Sequence, residues 1–322
     1  MKLTQLKYLT AIAKHDFNIS IAARELFTSQ PGISKQIGLL ESELGLKIFE
    51  RKGRSLTGIT PVGLEIIKEA QQMLLTADRI KAIASNYANP NKGSLNIYTT
   101  NTIARFILPE TIRYFFKKYP HVPFHVGAAH PTENGLISKI GPSDFSIVAH
   151  KVESSINLIT LPAYNWSLSL IIPKDHDLSS GVLSLERLAK YRLISYDKGS
   201  SGRYVQDKAF GSAGLYPKYA MTVMDTDVIK KYVGMGLGVG VIATIAAESI
   251  CDDEIVAIPL KGLIDSGSAW LCFSRGVYLQ DHMYDFIEKF APHLTKVVME
   301  RVVSMSSNDL AAFSKTFELP QY

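Results

Sequence analysis

Four polar side chains, Ser29, Gln30, Ser34 and Lys35, sit where a short apolar helix pattern restarts after a break at Thr28-Ser29. Gln can pair bidentately with adenine, Lys can reach guanine, and Ser can bond either a base or a phosphate. A second group follows in Arg51-Lys52-Gly53-Arg54, a basic turn flanked by Leu46–Phe49 and Leu56–Thr60. That turn reads as a hairpin suited to phosphate or minor-groove contact, with Arg51, Lys52 and Arg54 as its donors.

The elements that must carry these residues are legible upstream. Leu3, Leu6, Leu9, Ile12 and Ala13 recur at helical spacing over 3–14. Ile21 to Phe27 reads as a second short helix. Ser29 is placed to cap a third, with Pro31 in its first turn and Ile33, Ile37 and Leu40 on its apolar face. Two short helices and a tight turn form a helix-turn-helix, whose second helix reads the major groove. A solvated polar face is the bland alternative. From spacing alone the two readings balance.

From Pro61 to Asn89 there is no further proline, and no glycine follows Gly63. Ile66, Ala70, Met73, Ala77, Ile80, Ala84 and Tyr87 alternate at four and three residues, as in a coiled-coil seam. This segment reads as a long helix for self-association, or as one packed on its own domain. Residues 90–93 then form a hinge.

A second set of polar residues lies further on, at the carboxyl ends of predicted strands. Thr99, Thr100, Asn101 and Thr102 end one strand and open a helix; Ala149-His150 ends another. Ser200 and Ser201 precede a helix, and Asp225-Thr226-Asp227 starts one. Hydroxyls and free N–H groups gathered at helix starts favour an anion. Capping is the commoner role for Ser, Thr and Asp there. Predicted strands at 94–98, 124–126, 145–148, 168–172 and 193–195, alternating with helices, argue for an α/β body with mostly parallel sheets.

Composition sets the bounds. The chain has 322 residues, 46% hydrophobic and 20% charged, ample for two or three domains and no case for global disorder. Its net charge is +5; residues 1–92, with 13 Lys and Arg against 8 Asp and Glu, hold the whole excess. A basic module on a neutral body fits a nucleic-acid reader with a partner domain. Cys251 and Cys272 are too few for a disulfide scaffold or a cysteine metal site. No secretory signal or membrane span is read from the sequence, so a cytoplasmic protein is expected. Gly234 to Gly240 lacks the G-x-G-x-x-G spacing of a dinucleotide site and reads as close backbone packing. His121 and His125 lack a third ligand, so no metal is expected.

Ala22-Ala-Arg-Glu-Leu26, Ser29 to Ile37, Leu40-Glu41, Leu44-Gly45, Phe49-Glu-Arg51 and Thr60-Pro-Val-Gly63 together resemble the signature of LysR-type transcriptional regulators. The resemblance implies a winged helix-turn-helix over 1–60, a linker and dimerisation helix over 61–89, and a two-lobed, periplasmic-binding-protein-like effector domain. Lobe I would comprise 94–162 and 267–300, lobe II 163–266, with a tail at 301–322 and a crossing near Leu161–Ala163. It also implies promoter DNA, a homodimer or homotetramer, RNA polymerase as a further partner, no enzymatic activity and no cofactor beyond a small effector; an enzyme built on the α/β body is the alternative of a different class.

Thr99-Thr100, Ala104-Arg105, Asp225 to Lys230, Gly236 to Ile242 and Tyr284 to Ile287 resemble the CysB/Cbl-like subgroup, regulators of sulfur assimilation. In that subgroup Thr100, Thr102 and Ser201 would bind sulfate or an acetylserine-type inducer. Ile103 stands where the subgroup has Gln, Ala149 where it has Thr, and His130 and His150 replace an expected Ser and an acidic residue. Losing polar contacts while gaining imidazoles points to a different small anion, a carboxylate or amino-acid-like metabolite. Sulfate and acetylserine are the alternative.

Overall fold

A computed structural model describes residues 1–53, 55–88, 93–128, 144–152, 158–250 and 254–322. The chain divides into two compact units, Met1–Ala84 and Ser85–Tyr322. Among the described residues no helix is long and apolar enough to cross a membrane.

The first unit opens with helices α1 (Leu3–Lys14), α2 (Ile19–Glu25) and α3 (Gln30–Leu44). Asn18 caps α2 by accepting the Ile21 N–H, and Ser29 caps α3 by accepting the Gly32 N–H. Leu6, Leu9, Ile12, Ala22, Ile33, Ile37 and Leu40 form one buried core, as their spacing predicts. The second helix stops two residues early, because Phe27 adopts a left-handed backbone (φ 49°) in the turn. A hairpin follows, β1 (Phe49–Lys52) and β2 (Ser55–Ile59), with Lys52 opposite Ser55 and Gly53 at φ 65° in the turn. The predicted first strand, 46–49, is thus shifted towards the basic turn. Its physical reason is Glu41, a buried carboxylate on α3 that accepts the N–H groups of Ile48 (3.0 Å) and Phe49 (3.3 Å) and holds the approach to the strand against the helix.

Helix α4 (Pro61–Ala88) starts where Thr60 accepts the Gly63 N–H and donates its hydroxyl to the Lys47 carbonyl. A Cβ at Gly63 would lie 2.2 Å from the Ile48 carbonyl oxygen, so only glycine lets helix and hairpin meet. The helix is 28 residues, about 42 Å at ~1.5 Å per residue. Ile66, Ile67, Ala70 and Leu74 pack onto the core of their own unit, whereas Met73 and Ile80 are 45% and 63% exposed. The heptad seam is therefore divided: its start serves the unit's own core and its later part lies open.

The second unit contains two five-stranded sheets. Its elements run β3 (Leu95–Thr99), a π-helical turn (Ile103–Ile107), α5 (Leu108–Lys118), β4 (Phe124–Ala128), β5 (Asp144–Val148), β6 (Leu158–Trp166), β7 (Leu168–Pro173) and α6 (Leu185–Leu188). They continue as β8 (Leu193–Tyr196), α7 (Ser201–Ser212), β9 (Tyr219–Val223), α8 (Thr226–Gly234), β10 (Val239–Ala243), α9 (Thr244–Glu248), β11 (Ile255–Pro259) and β12 (Gly267–Ser274). Helices α10 (Asp281–Phe290), α11 (Lys296–Ser304) and α12 (Ser307–Ser314) close the chain. The wide turn before α5 follows from Pro109, which has no N–H to offer the Arg105 carbonyl.

Lobe I has strand order β4-β3-β5-β12-β6 and lobe II β11-β7-β10-β8-β9. Each sheet is mixed rather than mostly parallel. Strands β3, β4 and β5 are parallel, as are β8, β9 and β10, but β6, β7, β11 and β12 run antiparallel to their neighbours. Those four strands flank the two passages of the chain between lobes. The first passage lies at Ser167, later than the expected Leu161–Ala163. Pro162 does not end β6, because a bulge opposite Ala269 and Trp270 absorbs its missing N–H. Gly240 is packed so closely that a Cβ would meet Ile229, Ile171 and Val233 within 3 Å, and one at Gly238 would meet the Arg192 carbonyl oxygen at 2.6 Å. Residues beyond 300 are no loose tail: Val302 and Leu310 are fully buried in the lobe I core.

Candidate functional site

In the first unit, Gln30 and Lys35 are exposed on the first two turns of α3 and Ser34 is half-buried beside them. Ser29 is exposed, but its oxygen is engaged in capping the helix. In the hairpin, Lys52 is exposed. Arg51 reaches back to the Glu41 carboxylate at 3.4 Å, so it also serves the fold. Arg54 lies outside the described residues. Burial pushes the Glu41 carboxyl up, but the Ile48 and Phe49 N–H groups and the Arg51 guanidinium outweigh it and hold the group below its usual range. Glu41 was not singled out from sequence as a structural residue; a carboxylate among the buried positions of a helix was the available signal.

Among the described residues of the second unit, four polar or ionic pairs reach from lobe I to lobe II, beside the Lys230 ammonium over the Phe106 ring. The Asn101 amide donates to Asp225 at 3.3 Å, and the Thr102 and Thr226 hydroxyls lie 3.4 Å apart. Arg105 forms an ion pair with Asp227. His150 Nδ1 and the Ser201 hydroxyl share a hydrogen bond of 3.1 Å. Burial lowers the His150 pKa, so the ring is neutral at pH 7.

The centre of this arrangement is Tyr196, at the end of β8. Its buried hydroxyl lies 2.8 Å from the Thr226 hydroxyl and accepts the Ala243 N–H at 3.3 Å. Its ring leaves so little room that a Cβ at Gly202 would sit 3.0 Å away. Tyr196 therefore touches the first turns of α7 and α8, and Thr226 joins it to the turn that leads into α5. The starts of α7 and α8 and the turn at Thr102 thus meet at Tyr196, and helix N-termini carry partial positive charge. Burial pushes the Tyr196 phenol up and keeps it protonated.

The predicted effector residues separate into three groups. Asn101, Thr102, His150, Ser201 and Thr226 lie in the cross-lobe contacts. Thr100 and Ser200 cap, accepting the Ile103 and Arg203 N–H groups, and Thr99 donates to the Ile147 carbonyl within its own sheet. Ile103 is 3% exposed, packed in the core, and offers no side chain to a ligand. Ala149 packs on the same core, and its carbonyl accepts the Trp166 indole N–H. His130 lies outside the described residues. Sequence reasoning missed Tyr196 and the Arg105–Asp227 pair. A lone tyrosine closing an aliphatic strand, between Ser195 and Asp197, gave little to find it by.

Residues 3–64 match the profile of the bacterial regulatory helix-turn-helix protein, lysR family, and residues 88–295 match that of the LysR substrate binding domain. The chain is 41% identical to the HTH-type transcriptional regulator CysB of Haemophilus influenzae, over 99% of this chain and 98% of that one. It is 34% identical to the HTH-type transcriptional regulator cbl of Escherichia coli, over 96% and 98% respectively. Among solved structures, the cofactor-binding domain of the Cbl transcriptional regulator superposes with a TM-score of 0.62 at 31% identity, covering 67% of this chain and 95% of that one.

Proposed function

The chain belongs to the LysR family of DNA-binding transcriptional regulators, and from that premise we propose that α3 and the hairpin read promoter DNA under control of a small anion held in the Tyr196 cleft. The observation that carries the effector half is the meeting of the Thr102, Tyr196 and Thr226 hydroxyls at the starts of α7 and α8, with the His150–Ser201 pair as a second contact between the lobes. Arg105 and Lys230, the cations beside this constellation, both pair with Asp227, so neutral donors do the recognising. A carboxylate or amino-acid-like metabolite is our first reading, because an imidazole, His150, stands against Ser201 where the subgroup resemblance leads one to expect an acidic residue. Sulfate or acetylserine is the second, favoured by the 41% identity to CysB and the subgroup resemblance.

Binding would shift a pre-existing equilibrium between lobe arrangements and so alter how the DNA-reading units are presented. The open part of the α4 seam, with Met73 and Ile80 exposed, supports a homodimer or homotetramer. A promoter reader of this kind acts in the cytoplasm, with RNA polymerase as a further partner and no catalysed reaction. The domain assignment that fits is 1–60 for DNA, 61–89 for association, and two lobes exchanging at Ser167 and Gly267.

The test is calorimetric titration of the full chain with sulfate, thiosulfate, acetylserine, amino acids and dicarboxylic acids, repeated on Thr226→Val. Binding of a carboxylate that Thr226→Val weakens supports the first reading. Binding of sulfur compounds alone replaces it with the second, and anion binding that ignores Thr226→Val removes the cleft from both.

On the DNA side, Lys35→Ala is expected to weaken binding to the cognate promoter by about 1–3 kcal/mol while leaving non-specific binding nearly unchanged. Lys52→Ala should weaken both alike and reduce the salt slope of log K by about one. Fluorescence anisotropy at several salt concentrations separates the two; identical behaviour of the variants would undo the division between base reading and phosphate contact.

A further inference from the structure

Residues 315–322 do not trail from the fold. After α12, Phe317 packs against Phe313 and the His293 ring, with centroids at 5.1 and 5.2 Å. The chain then runs back to the first passage between the lobes. The Asn165 N–H donates to the Pro320 carbonyl at 2.8 Å, and Gln321 pairs with Asn165 as a parallel bridge. The Tyr322 N–H donates to the Asn165 carbonyl at 2.9 Å, and the Ser167 N–H donates to the Tyr322 carbonyl oxygen at 3.2 Å. The Tyr322 ring stands edge-on to Tyr164 at 5.0 Å.

Asn165 and Ser167 belong to different bodies. Asn165 lies in β6 of lobe I and accepts the Ser268 hydroxyl at 2.8 Å, which ties the outgoing and returning passages together. Ser167 is the residue between the sheets. It is held to lobe II through the Thr244 N–H, which donates to its carbonyl, and through its own hydroxyl, which donates to the Thr244 hydroxyl at 2.9 Å. A single residue, Tyr322, therefore bonds lobe I with its N–H and the lobe II side of the joint with its carbonyl oxygen. Rotation of one lobe against the other turns the backbone at Trp166 and Ser167 and moves these two partners apart.

We propose that residues 315–322 are a strap across the lobe joint that favours the arrangement in which the cleft pairs are made, and so sets the affinity of the cleft for its anion. The inference rests on the cleft reading above for its regulatory meaning, but the joint itself is read without any ligand. A bonded strap at one lobe angle raises the fraction of protein in the binding-competent state, and apparent affinity scales with that fraction.

Hydrogen–deuterium exchange of the full chain, without added anion, is the test. It compares wild type with a chain ending at Leu319 and with Tyr322→Pro, which removes the N–H donor and the ring and fixes the backbone φ there. Peptides covering 100–107 and 225–233 lie in the cleft and do not touch the strap. They are expected to exchange about ten-fold faster in both variants, while β9 and β11 stay as in wild type. Acceleration confined to 162–168 would mean that the strap merely pins its own neighbours, and would overturn the proposal. So would unchanged exchange throughout. If the shortened chain does not fold, Tyr322→Pro decides between the same outcomes. Because no effector enters the experiment, a failed anion titration leaves this result standing, and a failed exchange result leaves the cleft assignment standing.

Discussion

Replacing Glu41 with Ala is expected to lower the unfolding free energy of the DNA-reading unit by about 3 kcal/mol. The Glu41 side chain is 1% exposed and is the acceptor for two backbone N–H groups, at Ile48 and Phe49, with the Arg51 guanidinium and the Lys47 ammonium both 3.4 Å away. Removing it strands two buried donors, and the desolvation already spent on them is not recovered. Glu41→Gln keeps an acceptor and should lose about 1 kcal/mol. Urea titration of the full chain, followed through DNA binding and circular dichroism, checks both; a loss below 1 kcal/mol for Ala would show that the hairpin is held by other contacts. The pH dependence follows from the same geometry. The folded carboxyl sits below its unfolded value, so its contribution is fully present above about pH 4.3 and is lost as pH falls through the folded pKa. Wild type should therefore shed stability on that acid limb, and Glu41→Gln should be flatter there.

Tyr196→Phe is expected to reduce anion affinity by about 10–30-fold and to destabilise lobe II by about 2 kcal/mol. The deleted hydroxyl is the buried partner of both the Thr226 hydroxyl and the Ala243 N–H. Without it the Ala243 donor is orphaned, and Thr226 loses the bond that turns it towards Thr102. Calorimetry with the anion identified by titration, together with thermal unfolding, distinguishes the two effects. Reduced stability with unchanged affinity would assign Tyr196 to the fold alone.

Local order was legible in this chain, and for a local reason. Helix α3 follows from Ser29 as cap, Pro31 in the first turn and Ile33, Ile37 and Leu40 one turn apart, all interactions within a few residues. The start of α4 is equally local in Thr60 and Pro61. The family resemblance extended that reading to the lobes, and the strands at 95–99, 145–148 and 193–196 lie where aliphatic runs placed them.

Other features were not legible. The polar residues at strand ends could cap or bind, and nothing within ten residues of Thr100 or Thr102 separates the two. Their fates diverge only because Thr226, 124 residues after Thr102, arrives opposite one and not the other. Position 103 looked like a departure from a binding motif, yet Ile103 is packed in the core.

By itself, then, the sequence determined the DNA-reading helices, their caps, the long helix and the α/β character of the body, because each rests on contacts between near neighbours. Tertiary structure alone decided which hydroxyls pair across the lobes, that Tyr196 meets the starts of α7 and α8, that Glu41 holds the hairpin, and that residues 320–322 return to the lobe joint. Each of those depends on groups distant in sequence meeting at a few ångströms, and periodicity and propensity carry no record of such meetings.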